Sequence, residues 1–155
     1  IVAVPGNHDY WLGDPRFLAP IADMYGIKLL RNEIWRHDGI AWVGVDSLNA
    51  DKANPFEAMM ELGKEPAVTL WHEPDAVGYL PVGAALVLSG HSHGSQFIFP
   101  GGFAPMHTKN GKKYVSGFYP SAPTPLYVSR GVGTTGPPSR FLCPPEVSLL
   151  TLASG

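Results

Sequence analysis

Apolar residues along this chain fall into short runs, each closed by a polar, Gly- or Pro-bearing turn. The opening IVAV (1–4) reads as a buried strand that stops at Pro5-Gly6. IKLLRN (27–32) and EIWRHDG (33–39) suggest short strands, and IAWVGVDS (40–47) is a stronger one. AVTLWH (67–72), between Pro66 and Pro74, is a further apolar run, and GAALVLSGHSHG (83–94) is a buried strand running into a polar loop. QFIFP (96–100), KYVSGFY (113–119), PLYVSRG (125–131) and EVSLLTL (146–152) complete the strand pattern. Two segments read as helices. Residues 14–25 have Asp14 as N-cap, Pro15 at the first helical position and Gly26 as a stop; residues 55–63 lie between Asn54 and Gly63. The pattern predicts a mixed α/β fold, with strands dominating the second half.

Composition narrows the function classes. A net charge of −2 with no basic run argues against a nucleic-acid surface, which needs clustered cations to neutralise phosphates. Cys143 is the only cysteine, so no internal disulfide can form. No stretch reaches the roughly 18 apolar residues of a membrane span. The chain opens on Ile1 inside an apolar run, and one strand cannot bury both faces alone. We therefore expect the natural protein to continue upstream, with residues 1–155 the C-terminal portion of one domain.

Candidate chemistry gathers on histidine. His8, His72, His91 and His93 each follow an apolar run: IVAV, AVTL or AALVLS. If those strands are neighbours in one sheet, their ends bring the imidazoles together, a donor set that suits borderline divalent metals. GHSHG (90–94) spaces two histidines by two, which on an extended segment point the same way. Read alone, it serves equally as a polar loop with solvated rings. GNHD (6–9) adds the Asn7 amide oxygen and a His8-Asp9 pair suited to proton transfer. His37 and His107 lie in turn-like stretches and read as solvated. Arg130 and Arg140 flank GVGTTGPPS, and a guanidinium suits bidentate phosphate recognition, although surface arginines on a turn look the same.

In order, GNHD, a single strand-end His72 and GHSH resemble the last three signature blocks of the calcineurin-like metallophosphoesterase family. SGHSHGSQFIFPG (89–101), KYVSGFY, LYVSRGVGTTGPPSR and CPPEVSLLTL are similar to its YaeI/YkuE-like bacterial phosphodiesterase branch, with Ser95 where that branch usually has a second glycine. The resemblance covers nearly the whole chain and is least distinctive over residues 10–65. It implies a β-sandwich flanked by helices (α-β-β-α layers), incomplete at the N-terminus, because the family's first two blocks, D-x-H and G-D-x-x-D, would lie upstream.

The resemblance further implies two divalent metal ions (Mn, Fe or Zn) and hydrolysis of a phosphate ester by a metal-bound hydroxide. Asn7, His72 and His91 would bind one metal and His93 the other. His8 would protonate the leaving group, with Asp9 orienting it. The substrate would be a phosphodiester or pyrophosphate, with a lipid-linked UDP-sugar as one candidate. A non-catalytic scaffold on the same fold is the alternative, and a metal-storage or sensor domain a third. Alone, the 155 residues are expected to lack activity, and any anchor to a membrane would sit upstream.

Overall fold

The computed structural model describes residues 1–81 and 83–153. Its centre is a six-stranded mixed sheet of β3 (Glu33–His37), β4 (Ile40–Val45), β5 (Ala67–Trp71), β6 (Ala84–Ser89), β7 (Gly117–Tyr119) and β8 (Leu126–Val128), in the order β3-β4-β5-β6-β8-β7. The four inner strands β4, β5, β6 and β8 run parallel, and β3 and β7 pair antiparallel at the two edges. Parallel strands buried on both faces call for continuous apolar runs. IAWVGV, AVTLW and AALVLS supply them, and Val43, Val45, Trp71, Val87, Leu126 and Val128 form the core.

A second, small sheet pairs β1 (Val2–Ala3) with β2 (Lys28–Leu29) in parallel. It lies against the large sheet at Gly44, where a Cβ would stand 2.1 Å from Leu30 Cβ and 3.1 Å from Val4 Cγ1. Glycine at position 44 is what lets the two sheets approach so closely. The α/β class expected from the sequence is the class observed. One expectation changes: IVAV is not a neighbour of AVTL and AALVLS in one sheet, since its partner is β2.

Both expected caps are used, but the first helix is divided and the second is shorter. Asp14 Oδ1 accepts from Arg16 N–H at 2.9 Å, but the segment is a 3-10 turn over Pro15–Leu18 followed by α1 (Ala19–Met24). Pro20 has no N–H, so the Arg16 carbonyl is taken by Ala19 N–H instead and the first turn tightens. Asn54 caps α2 (Pro55–Met59) by accepting from Glu57 N–H at 3.1 Å. The strand expected over 96–100 is reduced to isolated bridges, Phe97 with Phe141 and Phe99 with Phe103. Residues 146–152 form no ladder, and Val147 and Leu149 are almost fully exposed. No helix among the described residues is long and apolar enough to cross a membrane.

Candidate metal centre

Parallel order sends the loops after β4, β5, β6 and β8 to one end of the sheet, the carboxyl-end crevice where open α/β sheets place their ligands. A cleft of about 600 Å³ opens there, lined by Asn7, His8, Asp9, His72, His91 and His93. All six metal and catalytic candidates from the sequence are thus in its wall. Asn49, Thr108, Lys109 and Thr135 line it as well, and none of them was expected.

His72 leaves the end of β5, and His91 enters from the end of β6, next to it in the sheet. Their rings meet with centroids 4.8 Å apart, and His91 Nδ1 stands 3.1 Å from His72 Nε2. Two nitrogens bound to one cation at about 2.1 Å lie roughly 3.0–3.4 Å apart for coordination angles between octahedral and tetrahedral. The observed separation suits such a shared ion and suits an N–H···N hydrogen bond equally. Burial and the adjacent His91 ring push the His72 pKa down to about 4, so its imidazole is neutral at ordinary pH, as a ligand must be. The other nitrogen of His91, Nε2, is 2.7 Å from the Lys109 carbonyl oxygen. A carbonyl can only accept, so Nε2 carries the proton and Nδ1 presents its lone pair to His72. Metal-binding histidines commonly donate their remote N–H to such a partner.

The GHSH segment is not extended as the spacing suggested. His91, His93, Gly94, Ser95 and Gln96 all have positive φ, between 54° and 64°. Non-glycine residues held in that region are strained, and such strain gathers at functional sites. The two rings take different partners: His93 Nε2 lies 3.3 Å from Thr135 Oγ1, while its buried Nδ1 has no hydrogen-bond partner. Burial, with the Arg140 guanidinium acting in the same sense, holds the His93 pKa below its usual value. Among the described residues no three His, Cys, Asp or Glu side chains are grouped closely enough to hold a metal. What the chain offers is the facing His72–His91 pair, with Asn7 and His93 in the same wall. Imidazole nitrogens beside an amide oxygen are a donor set that fits a divalent ion.

GNHD does not continue β1 as a strand end. It opens a 3-10 turn over Asn7–Leu12. Asp9 Oδ2 accepts from Gly6 N–H at 2.7 Å and closes the turn, while the His8 ring stacks on Trp11 with centroids 3.8 Å apart. Tyr10 anchors the turn to the end of β4, its hydroxyl donating to Asp46 Oδ1 at 2.6 Å. Burial and the Asp46 carboxylate raise the Tyr10 pKa well above its usual value and keep that proton in place. Arg31 Nε donates to Asp46 Oδ2 at 2.8 Å and joins the same cluster.

Arg130 and Arg140 do not line the cleft. Arg130 pairs with Glu146 at 2.7 Å. Arg140 donates to the carbonyl oxygens of His93 (2.9 Å), Arg130 (2.8 Å) and Gly133 (2.6 Å), tying the Gly-rich loop to the back of the GHSH turn. His37 stacks on Trp35, outside the cleft, and exposed His107 lines a neighbouring hollow of about 330 Å³. Asn49 was missed, yet it carries the signal that marked the histidines: it follows an apolar strand in a polar loop, VDSLN.

Curated relatives match between 57% and 96% of the chain. It is 35% identical over 158 residues to an uncharacterized metallophosphoesterase of Helicobacter pylori strain 26695, the alignment covering 96% of this chain and 41% of that protein. It is 44% identical over 92 residues to the uncharacterized metallophosphoesterase YkuE of Bacillus subtilis, covering 57% of this chain and 31% of YkuE. It is 29% identical over 154 residues to the phosphodiesterase YaeI of Escherichia coli, covering 95% of this chain and 56% of YaeI. The chain thus spans about half the length, or less, of these relatives. No family model and no solved structure matches.

Proposed function

Because the chain belongs to the metallophosphoesterase family, we propose that its cleft is the part of a phosphate-ester hydrolase active site that supplies His8, the His72–His91 pair, His93 and Asn7. The observation that carries this reading is the gathering of Asn7, His8, His72, His91 and His93 in the wall of one cleft, with His91 Nδ1 3.1 Å from His72 Nε2.

His72, His91 and the Asn7 amide would hold one divalent ion, and His93 would contribute to a second. Such ions would offset the negative charge of the phosphate and lower the pKa of a coordinated water. This chain's own residues do the rest. His8 hands a proton to the departing ester oxygen, its ring held by the face of Trp11. Asp9 keeps the turn closed through Gly6 N–H rather than gripping His8. The finer reading is a phosphodiester or pyrophosphate substrate at a dinuclear centre. An amphiphilic version such as a lipid-linked UDP-sugar is supported by the exposed Phe99, Phe103 and Phe141, whose rings cluster beyond the GHSH turn.

In the full-length protein, His72→Ala and His91→Ala should lose bound metal and turnover of bis(p-nitrophenyl) phosphate together. His8→Ala should keep the metal and lose kcat, by about 100-fold or more for a proton donor. Turnover that survives chelation, or that survives both metal-ligand substitutions, would overturn the assignment.

A further inference from the structure

The two acidic residues of the HEPD stretch, Glu73 and Asp75, are used by neither metal nor substrate in the reading above, and both are fully committed. Glu73 is completely buried. Its Oε1 accepts from Ser47 Oγ at 2.5 Å and from Asn49 N–H at 3.2 Å, and its Oε2 accepts from Leu48 N–H at 3.0 Å. One carboxylate therefore holds the loop that follows β4. Asp75 holds a different loop: its oxygens accept from the N–H groups of Lys112 (2.9 Å), Lys113 (3.1 Å) and Tyr114 (3.0 Å), and its own N–H donates to the Asn110 carbonyl at 3.1 Å.

These two loops meet at the remote nitrogen of His91. From the first, Asn49 Nδ2 donates to the Lys109 carbonyl at 2.9 Å and lies 3.1 Å from His91 Nε2. From the second, Asn110 Nδ2 donates to Asn49 Oδ1 at 2.7 Å, and Lys109 oxygen receives the His91 Nε2 proton at 2.7 Å. Gly111 packs so near the ring that a Cβ there would lie 3.3 Å from His91 Cδ2. The Lys109 carbonyl accepts from both His91 and Asn49, so its position depends on both anchored loops.

The geometry points to Glu73 and Asp75 as a pair of positioning residues. Each fixes one loop, and the joined loops set the tautomer and orientation of His91 so that Nδ1 faces His72 Nε2. Four consecutive residues thus serve one site. His72 is the ligand, Pro74 starts the following 3-10 turn (Pro74–Tyr79), and Glu73 and Asp75 aim the opposing ligand. This rests on the metal-site reading for its purpose, but its structural content does not need the metal.

The test uses the full-length protein. Two-bond ¹H–¹⁵N correlation spectra of the metal-free form read the His91 tautomer, and titration with Mn²⁺ reads affinity. Wild type should show His91 protonated at Nε2. Glu73→Gln replaces one accepting oxygen with a donor facing Leu48 N–H or the Ser47–Asn49 pair, and Asp75→Asn does the same to the second loop. Each should shift the His91 ring resonances and weaken Mn²⁺ binding on the order of tenfold, the usual scale for disturbing the partner of a metal ligand. The double variant should fall short of the sum, because both act through one ring. A simply destabilising substitution would lower the melting temperature and leave the tautomer alone.

If Glu73→Gln does not fold, Asn49→Ala carries the same test, since that side chain is only half-buried and its removal deletes the bonds to Lys109 and Asn110. Wild-type His91 protonated at Nδ1, or folded variants with wild-type spectra and affinity, would overturn the inference. A protein with the Nε2–H tautomer that responds to these substitutions but takes up no Mn²⁺ would sink the metal reading and leave the positioning role standing.

Discussion

Gly6→Ala is the substitution that most directly tests the contact on which the cleft depends. Gly6 has φ −99° and ψ 174°, an ordinary extended conformation that alanine adopts freely. Its N–H bond to Asp9 would survive. The added methyl, however, would stand 2.8 Å from both Cε1 and Nε2 of His72 and 3.0 Å from Cδ2. Carbon atoms in good contact sit about 3.5–4.0 Å apart, so either the ring or the turn must move by roughly 0.7 Å or more. Overpacking a filled site costs about 1–3 kcal/mol. If the ring yields, it leaves its alignment with His91 Nδ1, and the same energy appears as roughly 5- to 150-fold weaker metal binding. If the turn yields, stability falls instead, by about 2–4 °C in melting temperature per kcal/mol for a chain of this size.

A double-mutant cycle separates the cause from a general effect. Gly6→Ala should be harmful in the wild-type background and close to neutral in His72→Ala, where the ring is gone. The assays are thermal unfolding for both backgrounds and Mn²⁺ titration for the single variant. Equal destabilisation in both backgrounds would show that the methyl collides with something other than His72. Full retention of affinity and stability would show that the turn does not sit against the ring at all.

The remaining predictions concern the frame around the cleft. Gly44→Ala should be severely destabilising, beyond about 3 kcal/mol, because its methyl would overlap Leu30 Cβ at 2.1 Å and force the two sheets apart; a melting temperature within about 2 °C of wild type would refute the close approach. Arg140→Ala should lower stability by about 2 kcal/mol or more through loss of charged hydrogen bonds to backbone carbonyls while leaving KM for phosphodiesters nearly unchanged; the reverse, a large rise in KM with normal unfolding, would return Arg140 to the substrate.

A good deal of this was legible in the residues themselves. Continuous apolar runs identify β4, β5 and β6 because strands buried on both faces have no polar side to show. Asp14 and Asn54 mark helix starts because their short side chains accept from the first free N–H groups. His8, His72, His91 and His93 could be picked out because each ends such a run, and they do share one cleft. EVSLLTL reads as a strand and forms no ladder, since a strand needs a partner as well as apolar residues. QFIFP gave way to the run of positive φ that precedes it and the Gly101-Gly102 turn that follows.

Local sequence therefore settled the chemistry available and which strands would carry it, because periodicity, caps and turn residues act within a few positions of themselves. Only the folded chain decided how that chemistry is aimed. The His91 tautomer is set by Lys109, 18 residues away, and the loops that hold Lys109 are held by Glu73 and Asp75 from a third part of the chain. Hydrogen bonds between segments so distant in sequence leave no periodic trace, since their partners are chosen by the packing of the sheet and not by spacing along the chain.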